Sequence, residues 1–315
     1  LKPHDGLKVL RIHSCGSSTS PTWMNTLNGM VKLELDGCRK LEKLPALWQL
    51  PALQILRLEG LESLHCLCSG GTTPVTFPKL KVLSLHNMPK FEAWLDTDEV
   101  QGEEPIFPKG EVMGISDCGS LTALPKAASV ITESSGRVDT KCRSAFPALR
   151  EMTLCRLNMF DRWEAVEGTL GEAVMFPLLE KLSINDCDSL TALPKGSLLV
   201  KQSSGRAETV CRRSAFPALV KLHLSDLSAL ERWDAVDGTL GEEVTFPLLE
   251  YLGIFDCPKL TDLPEAPKLS ELRLRGDGQQ ISLQAASRKR VPGPGIPEEA
   301  KDFALQQTNR THTSF

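Results

Sequence analysis

The sequence is short of aromatic residues and has no long apolar run. Phe, Trp and Tyr make up 5% of its 315 residues, with Tyr251 the single tyrosine. No stretch approaches the roughly eighteen consecutive apolar residues of a membrane span, and no charged-then-apolar signal opens the chain. An excess of either charge is also missing: 36 Lys and Arg stand against 40 Asp and Glu, a formal net charge of −4. Nothing in that balance favours nucleic acid as a partner. The ten cysteines do not form the pairs of a disulfide framework. Cys15, Cys38, Cys118, Cys187 and Cys257 each fall at one fixed position after a strand-like motif, which fits a reducing, intracellular setting better than an oxidising one. Around His4, His13, His65, His86, His223 and His312 there is no recognisable nucleophile or hydrolase motif. The chain therefore does not read as an enzyme.

What the sequence does contain is repetition. FPLLEKLSINDCDSLTALP, Phe176–Pro194, recurs as FPLLEYLGIFDCPKLTDLP, Phe246–Pro264, and in degraded form as FPKGEVMGISDCGSLTALP, Phe107–Pro125. Alignment on the apolar triplet L-x-x-L-x-L gives ten copies, from Leu7/Leu10/Ile12 to Leu269/Leu272/Leu274. Their last residues lie 23, 23, 27, 30, 39, 30, 40, 30 and 20 residues apart. Each L-x-L end alternates apolar and polar, which predicts a short strand with one buried face. Prolines such as Pro177 and Pro247 stand two residues ahead of most triplets, where a fixed φ suits chain entering a strand. The fifth copy keeps only Met113 and Ile115, with Lys109 and Gly110 where its sisters have leucines, which predicts a weak strand.

Beyond each triplet, apolar residues recur at every third position, as in Cys187, Leu190 and Leu193. That period is neither the 3.6 of an α-helix nor the 2.0 of a strand. It predicts an extended or 3-10 return with little α-helix. The expected fold is an α/β-class leucine-rich-repeat solenoid, a horseshoe with one parallel sheet on its concave face. Insertions at 95–106, 126–145, 164–175, 195–215 and 234–245 lengthen some repeats. Acidic ones follow Trp94, Trp163 and Trp233, while Ser-rich, basic-leaning ones follow two Leu-Pro ends. All read as solvated loops. Residues 1–287 form the repeat domain, and 288–315 read as a disordered tail. Because the chain opens on Leu1, part-way into a repeat, it reads as a fragment.

The run L-x-x-L-x-L-x-x-C-x-x-L-x-x-L-P at Leu179–Pro194 and Leu249–Pro264 occurs alongside SCGSSTSPTWM and the alternation of ERW with LTxLP. Together these resemble the C-terminal repeat region of plant NB-LRR disease-resistance proteins, especially the coiled-coil type of grasses. The resemblance implies part of an intracellular immune receptor, cytoplasmic with a possible nuclear pool. It also implies protein partners: a pathogen effector or guarded host protein, and the receptor's own nucleotide-binding module, which the repeats hold inactive. ADP or ATP would belong to that module. Its P-loop, G-x-x-x-x-G-K-[ST], is absent here, so no cofactor is expected in this chain. The alternative reading is a substrate-recruiting adaptor of a ubiquitin ligase, which also uses leucine-rich repeats.

Candidate sites are few. Trp94, Trp163 and Trp233 occupy a slot that leucine fills elsewhere, so they read as core. The repeat cysteines read likewise, as small apolar groups with a thiol able to donate to backbone. His65-Cys66-Leu67-Cys68 is metal-like, but no second pair lies at zinc-site spacing. There remain the polar positions flanking the last apolar residue of each triplet, which should face out of the concave sheet. Those expected to bind protein are Arg11, His13, Glu34, Asp36, Arg57, Glu59, His86, Asn185, His223, Phe255, Arg273 and Arg275. Phe255 reads as the one large aromatic among them, a candidate anchor.

Overall fold

Alternation of inward apolar and outward polar residues makes every triplet end in a five-residue strand. In the computed structural model, residues 2–69, 75–96, 105–125, 144, 146–163, 176–194, 215–233 and 246–276 are described. The backbone is also described at 128–134, 137–143, 197–201 and 209–213. In chain order the strands begin with β1 (Val9–His13), β2 (Lys32–Asp36), β3 (Ile55–Glu59), β4 (Cys66–Cys68) and β5 (Val82–His86). Next come β6 (Ala93–Leu95), β7 (Val112–Ser116), β8 (Ala128–Ser134), β9 (Arg137–Arg143) and β10 (Glu151–Cys155). The rest are β11 (Lys181–Asn185), β12 (Ser197–Lys201), β13 (Thr209–Arg213), β14 (Lys221–Ser225), β15 (Tyr251–Phe255) and β16 (Glu271–Arg275).

Ten of these form one sheet in the order β1-β2-β3-β5-β7-β10-β11-β14-β15-β16. Every pair is parallel and in the same phase, so Leu33 lies beside Leu56, and Leu56 beside Leu83. The inward residues therefore stack into continuous apolar ladders: Leu33, Leu56, Leu182, Leu222 and Leu252 are each at most 2% exposed. The return side holds the short parallel pair β4–β6 and two 3-10 turns, Met24–Thr26 and Leu47–Gln49. Among the described residues there is no α-helix. This is a leucine-rich-repeat solenoid, as the two periods require.

Nine of the ten strands of the sheet are followed by one residue of positive φ: Ser14, Gly37, Gly60, Asn87, Asp117, Arg156, Asp186, Asp226 and Asp256. Gly, Asn and Asp tolerate this left-handed conformation best. Ser14 and Arg156 are the exceptions, and the Arg156 guanidinium grips the Asp117 carboxylate of the preceding coil with two N–H groups. A tight turn follows, as in Leu190 N–H to Cys187 O at 3.2 Å. The repeat thiols donate back to their own strands, Cys187 Sγ to Asn185 O at 3.4 Å and Cys257 Sγ to Phe255 O at 3.3 Å. Burial pushes the thiols of Cys118 and Cys187 up to about 12. Both are wall, not chemistry.

The far corner of the coils is aromatic. Phe146, Phe176, Phe216 and Phe246 form a buried column, with successive ring centroids 5.5, 5.3 and 6.2 Å apart and planes within 13° of parallel. Trp163 stands edge-on to Phe160, Phe176 and Phe216. Its indole N–H donates to Ala192 O at 3.0 Å, as Trp94 does to Ala123 O at 2.9 Å and Trp233 to Asp262 O at 2.8 Å. Each tryptophan thus latches its coil to the next while filling the leucine slot.

Two expectations need correction. The fifth strand, β7, is not weak: it is full length and pairs on both sides. Lys109 and Gly110 lie in the turn ahead of it, where Gly110 N–H bonds Phe107 O at 3.3 Å. The strand itself needs only Met113 and Ile115, both nearly fully buried. The Ser-rich insertions are also not simple loops, since 128–143 and 197–213 contain the antiparallel pairs β8–β9 and β12–β13. The acidic segments 97–104, 164–175 and 234–245, and the tail 288–315, lie outside the described residues.

Candidate protein-binding face

The exposed face of the ten-stranded sheet carries three outward rows, because residues one, three and five of every strand point the same way. The two rows anticipated from sequence are there. The row formed by the first strand residues, from Val9 and Lys32 through Lys221 and Tyr251 to Glu271, was missed. Its signal is the residue just before the second leucine of each triplet, one step further back in the same alternation. Tyr251 is therefore a second outward aromatic, and Phe255 does not stand alone.

At the N-terminal end the charges satisfy one another. Glu34, whose side chain is only 17% exposed, accepts from Arg11 Nε, from Lys32 Nζ at 2.7 Å and from Arg57 Nη1 at 3.4 Å. The Lys32 ammonium first, then the Arg11 guanidinium, holds its carboxyl down at about 2. His13 Nδ1 lies 3.1 Å from Asp36 Oδ2, and Glu59 is exposed beside this group. The centre is smaller and more apolar, with Ile55, Val82 and Val112 beside Ser84 and Gly114. There His86 Nδ1 is 2.7 Å from Ser116 Oγ and 3.2 Å from Asp117 Oδ2. The Arg156 guanidinium keeps the Asp117 carboxyl below its ordinary range. Asn185 turns back on its own strand, donating to Ser183 Oγ at 3.1 Å.

At the C-terminal end the aromatics meet. The rings of His223 and Phe255 are 5.0 Å apart, and the Arg273 guanidinium lies 5.8 Å from the Tyr251 ring centroid. Arg273 is also bonded to Glu271 within its own strand, at 2.7 Å from Nε. Burial holds the His223 imidazole below its ordinary pKa. Arg275 is exposed beside Phe255. The twelve anticipated residues thus divide into a paired cluster, a central group and an aromatic cluster.

Elsewhere, His65 Nδ1 faces Glu92 Oε1 at 3.6 Å, while Leu67 and Cys68 are buried. Among the described residues no three His, Cys, Asp or Glu side chains are placed to hold a metal ion. None of the described helices is long and apolar enough to cross a membrane.

Comparison with known proteins agrees with this architecture. Residues 1–61 match the R13L1/DRL21 leucine-rich-repeat family. Over 233 residues, 74% of the chain is 29% identical to a probable disease resistance protein, RF9, of Arabidopsis thaliana. A putative disease resistance RPP13-like protein 1 of Arabidopsis thaliana is 25% identical over 61% of the chain. The putative disease resistance protein RGA1 of Solanum bulbocastanum is 29% identical over 62%. The chain is thus similar to the leucine-rich-repeat parts of plant disease resistance proteins. The repeat region spans 17–19% of the length of these three relatives, so what the whole proteins do is carried by far more than these coils.

Proposed function

We propose that these repeats are the protein-recognition and autoregulatory part of an intracellular plant immune receptor. They carry out no chemistry themselves. The observation that carries the reading is the uninterrupted sheet face, where the interior repeats from coil to coil while the outward rows differ at almost every coil. A surface of that kind suits recognition of a protein partner, and the relatives are named for disease resistance. In the resting receptor the face contacts the nucleotide-binding module, which holds ADP or ATP. A pathogen effector or guarded host protein that binds the face better in the active arrangement shifts the population toward it. The resistance-protein relatives favour this receptor over a ubiquitin-ligase adaptor, and a cytoplasmic site of action follows from it.

The test is to replace Arg11, Arg57 and Arg273 by glutamate in the intact receptor and measure cell-death signalling in leaf tissue, with and without the eliciting protein. The expected result is constitutive signalling or a lost response. If resting level and response both match the wild type, the face is not the regulatory surface.

A further inference from the structure

Two residues past each strand of the sheet lies an apolar slot, and these slots stack from coil to coil as the strands do. In order they hold Cys15, Cys38, Leu61, Met88, Cys118, Leu157, Cys187, Leu227 and Cys257. Leucine or methionine separates each later cysteine from the next, so Cys15 and Cys38 are the one pair in neighbouring slots.

The register of β1 and β2 sets them side by side. His13 lies opposite Asp36, and the ladder continues past the strand end through Ser14 N–H to Asp36 O at 2.7 Å. Two residues beyond that register, Cys15 and Cys38 take equivalent places in neighbouring coils. Coils about 4.8 Å apart fall inside the roughly 4.4–6.8 Å between Cα atoms that a disulfide spans. Both the backbone N–H and the side chain of Cys15 reach the Cys38 thiol.

The two thiols differ in access. Cys38 is 1% exposed, whereas Cys15 is only partly buried and belongs to the outermost coil. Cys38 Sγ is also held more loosely than its sisters. It lies 3.8 Å from Asp36 O, against 3.3–3.4 Å for Cys118, Cys187 and Cys257 to their own strands. Because β1 pairs on one side only, its coil can shift to let the sulfurs join without breaking a second row of bonds.

We propose that Cys15 and Cys38 form a reversible disulfide when the chain meets a peroxide, and that this bond staples the first coil to the second. Deprotonated Cys15, the thiol within reach of solvent, attacks one peroxide oxygen and the O–O bond breaks. The other oxygen leaves as water or an alcohol, with the proton that Cys15 released. The Cys38 sulfur then attacks the Cys15 sulfenic acid, forming S–S and breaking S–O. The departing hydroxyl takes the Cys38 proton and leaves as water. The two sulfurs together lose two electrons, and the peroxide gains them. A dithiol reverses the change. The bond fixes the edge of the face that carries Arg11 and His13, and it stands independently of the receptor reading.

The test uses the full chain, purified with its thiols reduced, exposed to hydrogen peroxide and quenched with N-ethylmaleimide. Peptide mass mapping without reductant is expected to find a Cys15–Cys38 linked peptide before any other cysteine pair. It should be lighter by two hydrogens than the two peptides it joins, and dithiothreitol should remove it. Cys38→Leu supplies the residue used elsewhere in the slot, so this variant should fold, lose the link and leave Cys15 as a sulfenic acid that dimedone traps. Amide hydrogen exchange in β1 should slow by about tenfold or more when the bond forms in the wild type, and not in the variant. Both thiols left reduced while other cysteines oxidise, or Cys15 linked to a different cysteine, would overturn the site. A Cys15–Cys38 bond that leaves β1 exchange unchanged would overturn the staple.

Discussion

The N-terminal and C-terminal ends of one sheet show two uses of the same scaffold. Their strands have the same length, register and inward leucines, so the wall behind them is common. In front of it, Glu34 gathers Arg11, Lys32 and Arg57 into a closed network, whereas Tyr251, Phe255 and His223 lean on Gly253 near Lys221 and Arg275, which have no ion-pair partner among the described residues. Charge consumed internally should register in stability, and charge left open should register in binding. Substitutions in the shared wall and at each end test that comparison, from the largest expected effect to the smallest.

The largest effect comes from breaking what both ends share. Phe176 is fully buried and stacked between Phe146 and Phe216. Phe176→Ala removes a ring from the middle of the column and leaves a cavity, costing about 3–5 kcal/mol. Urea denaturation followed by circular dichroism should show the loss, and it should damage both ends of the face. Coils contact mainly their neighbours, so the transition should also broaden. An unchanged midpoint would mean that the column is not what holds the coils together.

A smaller effect is expected from Trp163→Phe. Phenylalanine keeps most of the edge-on contact with Phe160 and Phe176 but cannot donate to Ala192 O, now bonded at 3.0 Å. One unsatisfied carbonyl costs about 1–2 kcal/mol. The same change at Trp94 or Trp233 should cost the same, because each makes the equivalent bond. Unequal losses across the three would show that the latch is a local accident.

The wall was legible from sequence because its slots repeat. Leu190 and Leu193 recur as Leu260 and Leu263, and period counting needs no knowledge of partners. The Trp94, Trp163 and Trp233 core assignment and the thiol-to-backbone bonds of Cys187 and Cys257 followed from slot membership. The strength of β7 was misjudged because triplet matching weighted Lys109 and Gly110, which lie outside the strand. The exposed face was harder. Outward residues repeat in position and not in type, so which of them pair depends on the register between coils 20–40 residues apart. That register brings Arg11 and Arg57 to one carboxylate and His223 to Gly253, and no local pattern announces either. The left-handed positions had a readable signal in the recurring Asp, Asn or Gly after each strand. Ser14 and Arg156 break it, the latter with an ion pair to Asp117 that offsets the strain.

Glu34→Gln distinguishes the two ends at the smallest scale. In the folded chain the Glu34 carboxyl is held at about 2, below its ordinary value of 4.5, mainly by Lys32 and then Arg11. A carboxylate with a depressed folded pKa contributes stability that is complete above its ordinary pKa and is lost as pH falls through the folded value. The wild type should therefore lose stability between about pH 4.5 and pH 2 through this group, and Glu34→Gln should not. At neutral pH the substitution should cost about 1 kcal/mol, because the three cations stay partly hydrated and screened. That cost should shrink in high salt. Lys221→Gln, at the other end, removes a cation with no partner among the described residues and should leave the acid limb of the unfolding profile unchanged. If both variants alter the acid limb equally, the closed network at Glu34 is not what separates the two ends, and the difference lies in the aromatics alone.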